Sequence, residues 1–197
     1  MNLPNKLTVF RIALVPIVAL VWLFPYEQFG LQIDYFTFGN VTLPYLNLVV
    51  IALFAIASIT DLLDGKIARK RGLVTTFGKF ADPIADKLLV NMMLLIMSYK
   101  HMIPLVCCIL MIERDTIVDG CRMIAAQNGV VVSAGMLGKL KTTLQMITII
   151  VILLNNLPFE LFYIPMDEIL IWFTTFISVA GGYSYFMQVK DYIFESM

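Results

Sequence analysis

The stretch DLLDGKIARKRGLVTTFGKFADPIAD, residues 61–86, decides how the chain is read. It follows the apolar run LNLVVIALFAIASIT (46–60) and precedes KLLVNMMLLIMSY (87–99). Aspartates at the mouths of two apolar helices need a reason, because an unpaired buried carboxylate is strongly disfavoured. If the first helix continues through Arg69, turning roughly 100° per residue, Asp61, Asp64, Gly65 and Ala68 share one stripe. On the next helix Asp82 and Asp86 stand at i and i+4, again on one face. Gly78 extends that face if the helix begins early enough. Pro83 suits a first turn, with Asp82 as the cap.

Converging carboxylates repel one another unless cations neutralise them. Oxygen donors suit hard divalent ions, Mg2+ or Mn2+. Two such ions with open positions support an in-line displacement at phosphorus. Plainer readings exist: Asp82 as a helix cap alone, or Asp61 and Asp64 paired with Lys66 or Arg69. Those pairs belong on solvated faces, whereas Asp61 follows an apolar run without a break. The glycines and the alanine clear the helix surface for a bulky ligand. In a membrane the ligand would be a lipid phosphate or pyrophosphate.

The rest of the sequence supplies that membrane. Of 197 residues, 60% are hydrophobic and 14% charged, with mean hydropathy +0.87. Soluble domains run at about 45–50% apolar and 25% charged. We expect an all-α integral membrane protein, a single domain over 1–197, with six transmembrane helices near 6–24, 46–70, 81–99, 103–124, 137–155 and 167–190. Strands are not expected, since an open sheet cannot sit in lipid. Zero net charge argues against nucleic acid. Cys107, Cys108 and Cys121 follow no disulfide or zinc pattern. No cleavable signal is expected, because the apolar run from Val9 to Phe24 lacks a small-residue cleavage site.

Of the 14 Lys and Arg, all but Lys100 fall at one set of helix ends. The positive-inside rule makes that side, and both termini, cytoplasmic. The opposite loops, PYEQFGLQIDYFTFGNVTLPY (25–45) and NNLPFELFYIPMDE (155–168), hold no Lys or Arg. The expected location is the cell membrane, multi-pass, with the functional chemistry at the cytoplasmic face. His101 is a surface turn residue on this reading. Gly181–Gly182, in AGGYSYF (180–186), would bend the last span or admit a neighbour.

The acidic stretch resembles the signature of the CDP-alcohol phosphotransferases: Asp61-x-x-Asp64-Gly65-x-x-Ala68-Arg69, eight residues, then Gly78-x-x-x-Asp82-x-x-x-Asp86. The resemblance implies six transmembrane helices in the CDP-alcohol phosphotransferase fold, a homodimer, and transfer of a phosphatidyl-type group from a CDP-linked donor to an alcohol with release of CMP. It implies that Asp61, Asp64 and Asp82 ligate two Mg2+ or Mn2+ ions. Asp86 would be the general base on the acceptor hydroxyl and would also touch a metal. Gly65, Ala68 and Gly78 would make room for the cytidine nucleotide. Arg69 belongs to the same motif, and Asn5 and Thr8, at the rim of the first span, are placed with the nucleotide set.

The motif does not name the acceptor. NLPNKLTVFRI (2–12) and ERDTIVDGCRMIAAQNGVVVSAGMLGKLKTTLQM (113–146) resemble the bacterial phosphatidylglycerophosphate synthase branch. Asp115 departs from that pattern, where a glutamate is expected, and the last span matches only in being apolar. The branch implies CDP-diacylglycerol as donor and glycerol 3-phosphate as acceptor. Arg114, Arg122, Lys139 and Lys141 would bind the acceptor's phosphate, which suits a dianion. The alternatives are positive-inside topology, anionic membrane lipids at the basic residues, another acceptor (inositol phosphate or phosphatidylglycerol), or a transporter. Intramembrane acids in a transporter would lie near the midplane or in repeated halves, and neither pattern is present.

Overall fold

The computed structural model describes residues 2–71, 75–130 and 135–194, and side chains within them except at 3, 62–71, 79 and 194. Six long helices occur: α1 (Leu3–Leu23), α2 (Tyr45–Arg71), α3 (Thr76–Tyr99), α4 (Leu105–Gln127), α5 (Met136–Leu153) and α6 (Met166–Phe194). Among the described residues, Pro4–Leu23, Met136–Leu153 and Met166–Ile193 are long and apolar enough to cross a membrane, and Tyr45–Asp61 is a shorter apolar helix. The chain forms two compact units, one of Met1–Met97 with Leu153–Leu157, the other of Ser98–Ile152 with Pro158–Met197.

In the first unit α1 packs along α2. The helix starts on Asn2, whose side chain accepts the Asn5 N–H at 3.1 Å, with Pro4 in the first turn where a missing N–H costs nothing. Val18, Trp22, Val50, Phe54 and Ala57 are buried.

Two expectations are corrected here. A β-hairpin does form, β1 (Tyr35–Phe38) against β2 (Val41–Pro44), joined through Gly39–Asn40. It lies in the segment between α1 and α2, outside the apolar helices, so the lipid argument against open strands does not reach it. Val41 and Leu43 are buried while β1 is exposed, and Asn155 Nδ2 donates to the Thr42 carbonyl at 2.6 Å.

The second correction concerns the start of α3. Asp82 is not its cap and Pro83 is not in its first turn. The helix begins at Thr76, and Thr75 Oγ1 accepts the Gly78 N–H at 3.0 Å, as a capping hydroxyl does. Pro83 lies inside the helix, where it removes an N–H from the ladder, a feature membrane helices tolerate. Asp82 and Asp86 therefore sit a turn or more inside a formed helix, with Gly78 on the same face.

In the second unit α4 packs along α6. Cys121 and Ala125 of α4 bury against Val189 of α6. Buried threonines also join helices, Thr148 Oγ1 lying 2.9 Å from Thr174 Oγ1. The helix α6 is continuous through Gly181–Gly182.

Candidate active site

The acidic set belongs to the first unit. The helix α2 runs on to Arg71, so Asp61, Asp64, Gly65, Ala68 and Arg69 are all helical, as the stripe requires. The side chains of Asp64, Ala68 and Arg69, and the surroundings of Gly65, lie outside the described residues. Asp61 and Asp82 are both held by α1. Arg11 Nη1 donates to Asp61 Oδ1, and Thr8 Oγ1 donates to Asp82 Oδ1 at 2.6 Å. Thr8 and Arg11 are each 1% exposed. A buried guanidinium demands an anion, and Asp61 is that anion. The Thr8 oxygen is also 3.1 Å from the Pro4 carbonyl, but a hydroxyl has one proton, and the shorter, charge-assisted contact takes it.

Asn5 is buried and accepts from Thr75 Oγ1 at 2.9 Å. A Cβ at Gly78 would meet Asn5 Oδ1 and Thr75 Oγ1 at 3.3 Å and Asp82 Oδ2 at 3.6 Å. The space above Gly78 is thus occupied by the α1–α3 contact. Asn5 and Thr8, placed with the nucleotide by sequence, have their side-chain oxygens engaged by protein. Arg11, outside that set, is the escort of Asp61. Its signal was a charge inside an apolar helix.

The acids suit a metal in chemistry: they are oxygen donors carried by two helices. The bonds from Arg11 and Thr8 engage Oδ1 of Asp61 and Oδ1 of Asp82. Asp86 is half-buried one turn beyond Asp82. Among the described residues no three acidic, His or Cys side chains are grouped closely enough to hold an ion; Asp64 is not among the described side chains.

The basic set belongs to the second unit, and it contains an acid. Asp115 is buried, and Lys141 Nζ donates to both its oxygens, at 2.9 and 2.7 Å. Arg114 Nη1 donates to Asp115 Oδ1 at 2.9 Å, and Arg114 Nε to the Ser178 carbonyl at 2.9 Å. Arg114 Nη2 is buried without a hydrogen-bond partner among the described residues. Arg122 is exposed and donates through Nη2 to the Tyr185 hydroxyl at 3.1 Å. Lys139 is exposed in the first turn of α5. The structure thus brings Arg114 and Lys141 together on Asp115 and places Arg122 on Tyr185.

Comparison with known proteins agrees with the motif. A family model described as CDP-alcohol phosphatidyltransferase matches residues 1–180. The CDP-diacylglycerol–glycerol-3-phosphate 3-phosphatidyltransferase of Bacillus subtilis (strain 168) is 44% identical over 187 residues, 95% of this chain and 94% of the relative. Proteins of the same name from Rickettsia bellii (strain RML369-C) and Rickettsia typhi (strain ATCC VR-144 / Wilmington) are 36% and 38% identical over 192 residues, 97% of this chain in each case and 97% and 98% of the relatives. The chain belongs to the CDP-alcohol phosphatidyltransferase family.

Proposed function

We propose that the protein transfers the phosphatidyl group of CDP-diacylglycerol to glycerol 3-phosphate, giving phosphatidylglycerol phosphate and CMP. The observation that carries this reading is a pair of opposed charge sets within a chain whose relatives bear that activity in their names. An acidic set is held by α1, and a basic set surrounds Asp115.

The acceptor hydroxyl oxygen attacks the phosphatidyl phosphorus. The bond from that phosphorus to the bridging oxygen breaks, and CMP leaves with the electron pair. The hydroxyl proton passes to Asp86, which must reach it at hydrogen-bond distance. Two divalent ions, Mg2+ or Mn2+, held by Asp61, Asp64 and Asp82 with Asp86 at their edge, would offset charge on the pyrophosphate and on departing CMP. Arg11 and Thr8 fix the rotamers of Asp61 and Asp82. Gly65, Ala68 and Arg69 form the nucleotide's side of the motif, and Gly78 lets Asn5 of α1 approach α3 beside Asp82.

On the acceptor, Arg114 and Arg122 bind the phosphate, with Lys139 at the entrance. Lys141 offsets the charge of Asp115, which leaves more of the Arg114 charge for the phosphate. Serine, choline or ethanolamine would have no use for so many cations. The reading includes six transmembrane helices, both termini in the cytoplasm, the active site at the cytoplasmic face of the cell membrane, a homodimer and a single functional domain. Purified protein given CDP-diacylglycerol and a panel of glycerol 3-phosphate, inositol phosphate and phosphatidylglycerol should release CMP with the first alone. Faster release with either of the others would replace the acceptor.

A further inference from the structure

The last span reads as plain apolar sequence, but one face of it is built for cations. Ser178, Gly181, Gly182 and Tyr185 stand at i, i+3, i+4 and i+7, so they form one stripe along α6. Each meets an arginine of α4. The Ser178 carbonyl accepts from Arg114 Nε at 2.9 Å. A Cβ at Gly182 would lie 2.8 Å from Arg114 Cγ, and one at Gly181 would lie 3.1 Å from Arg114 Nη2. The two glycines are therefore a seat for the Arg114 side chain.

Tyr185 closes the stripe. It is 2% exposed. Its ring centroid is 6.0 Å from the Arg114 guanidinium carbon and 5.2 Å from that of Arg122, within the range where a cation is attracted to a ring face. Its hydroxyl accepts from Arg122 Nη2 at 3.1 Å. Gly138 of α5 passes the other side, where a Cβ would lie 3.8 Å from the ring edge and the hydroxyl. One turn further along α6, Val189 packs into the α4 cluster of Cys121 and Ala125, so α6 is anchored to α4 just beyond Tyr185.

The geometry points to Tyr185 as a positioning residue for acceptor phosphate recognition, acting through Arg122 and Arg114, a role that rests on the acceptor reading above. A bare guanidinium on an exposed helix face samples many rotamers, and ordering it on binding opposes affinity. A ring beneath it and a hydroxyl acceptor at one nitrogen hold the plane in advance, leaving the remaining N–H groups for a dianion. The burial of Tyr185 supplies rigidity and the exposure of Arg122 supplies access.

The test is a set of steady-state measurements on the purified full chain, following CMP release with each substrate varied in turn. Tyr185→Phe keeps the ring and removes the hydroxyl. The apparent KM for glycerol 3-phosphate should rise about fivefold to tenfold, and that for CDP-diacylglycerol less than about twofold. Tyr185→Leu, which removes the ring as well, should raise the first further. In an Arg122→Ala background Tyr185→Phe should add nothing, since residues acting through one another are not additive. A residue that merely supports folding would lower the yield of active protein and leave both KM values alone. An unchanged KM for glycerol 3-phosphate in Tyr185→Phe, or effects that add in the double variant, overturns the proposal. Wild-type CMP release that ignores glycerol 3-phosphate overturns the acceptor reading and this role together.

Discussion

The two compact units solve the same electrostatic problem with opposite signs. In the first, acids of α2 and α3 gather and α1 supplies the escorts: the Arg11 guanidinium on Asp61 and the Thr8 hydroxyl on Asp82. In the second, bases of α4 and α5 gather, with Asp115 and Tyr185 as escorts. On the proposed reading, the sign of each set names its ligand. Carboxylates call for cations and the phosphates that ride with them, and guanidinium calls for an anion. The escorts differ too. Asp61 is partly exposed and tied to Arg11, whereas Asp115 is buried and tied to both Arg114 and Lys141. The acidic escorts orient, and the basic escort also neutralises.

That contrast can be broken in graded ways. Asp86→Asn should cut transfer by about 10²–10⁴-fold, the range a general base contributes, in a CMP-release assay on folded protein. Substantial remaining turnover would take the proton role from Asp86. Asp115→Ala leaves two cations facing each other in a buried site and should lower stability by about 3–5 kcal/mol. Thermal unfolding in detergent measures it, and an unshifted midpoint would mean that Asp115 is not the escort described.

Arg122→Ala should raise the KM for glycerol 3-phosphate by roughly tenfold or more while sparing the lipid donor, given the strength of charge-assisted contacts to phosphate. Arg114→Ala should follow the same pattern with a loss of stability. Equal effects on both substrates would argue against a dedicated phosphate pocket. Smallest is Thr8→Val, which frees Asp82 from one hydrogen bond. It should reduce kcat/KM for both substrates alike, by about tenfold or less. A selective effect on the acceptor would erase the distinction between the two regions.

Much of this was written in local sequence. Hydropathy placed the helices, most plainly α1, α5 and α6, whose apolar runs are long enough to cross a membrane. The four acids were legible as a motif, because i, i+3 and i+4 spacings fix a helix face without any tertiary contact. The start of α3 was misread because two signals competed: Pro83 favours a first turn with Asp82 as its cap, while Thr75 offers a cap seven residues before Asp82. The capping hydroxyl prevailed. The hairpin at Tyr35–Pro44 was hidden by a rule that applies only within lipid. The pairing of Lys141 with Asp115 was invisible because it joins residues 26 positions apart on separate helices. Tyr185 was invisible because AGGYSYF looks like a packing notch until Arg114 is seen lying in it.

The most direct measurement follows glycerol 3-phosphate carrying a radiolabel into lipid, alongside CMP, in purified protein supplied with CDP-diacylglycerol and Mg2+ or Mn2+. The account predicts equal amounts of lipid-bound label and CMP, and loss of both on adding EDTA. Label that stays in the aqueous phase while CMP is released, or transfer that survives EDTA, would contradict it.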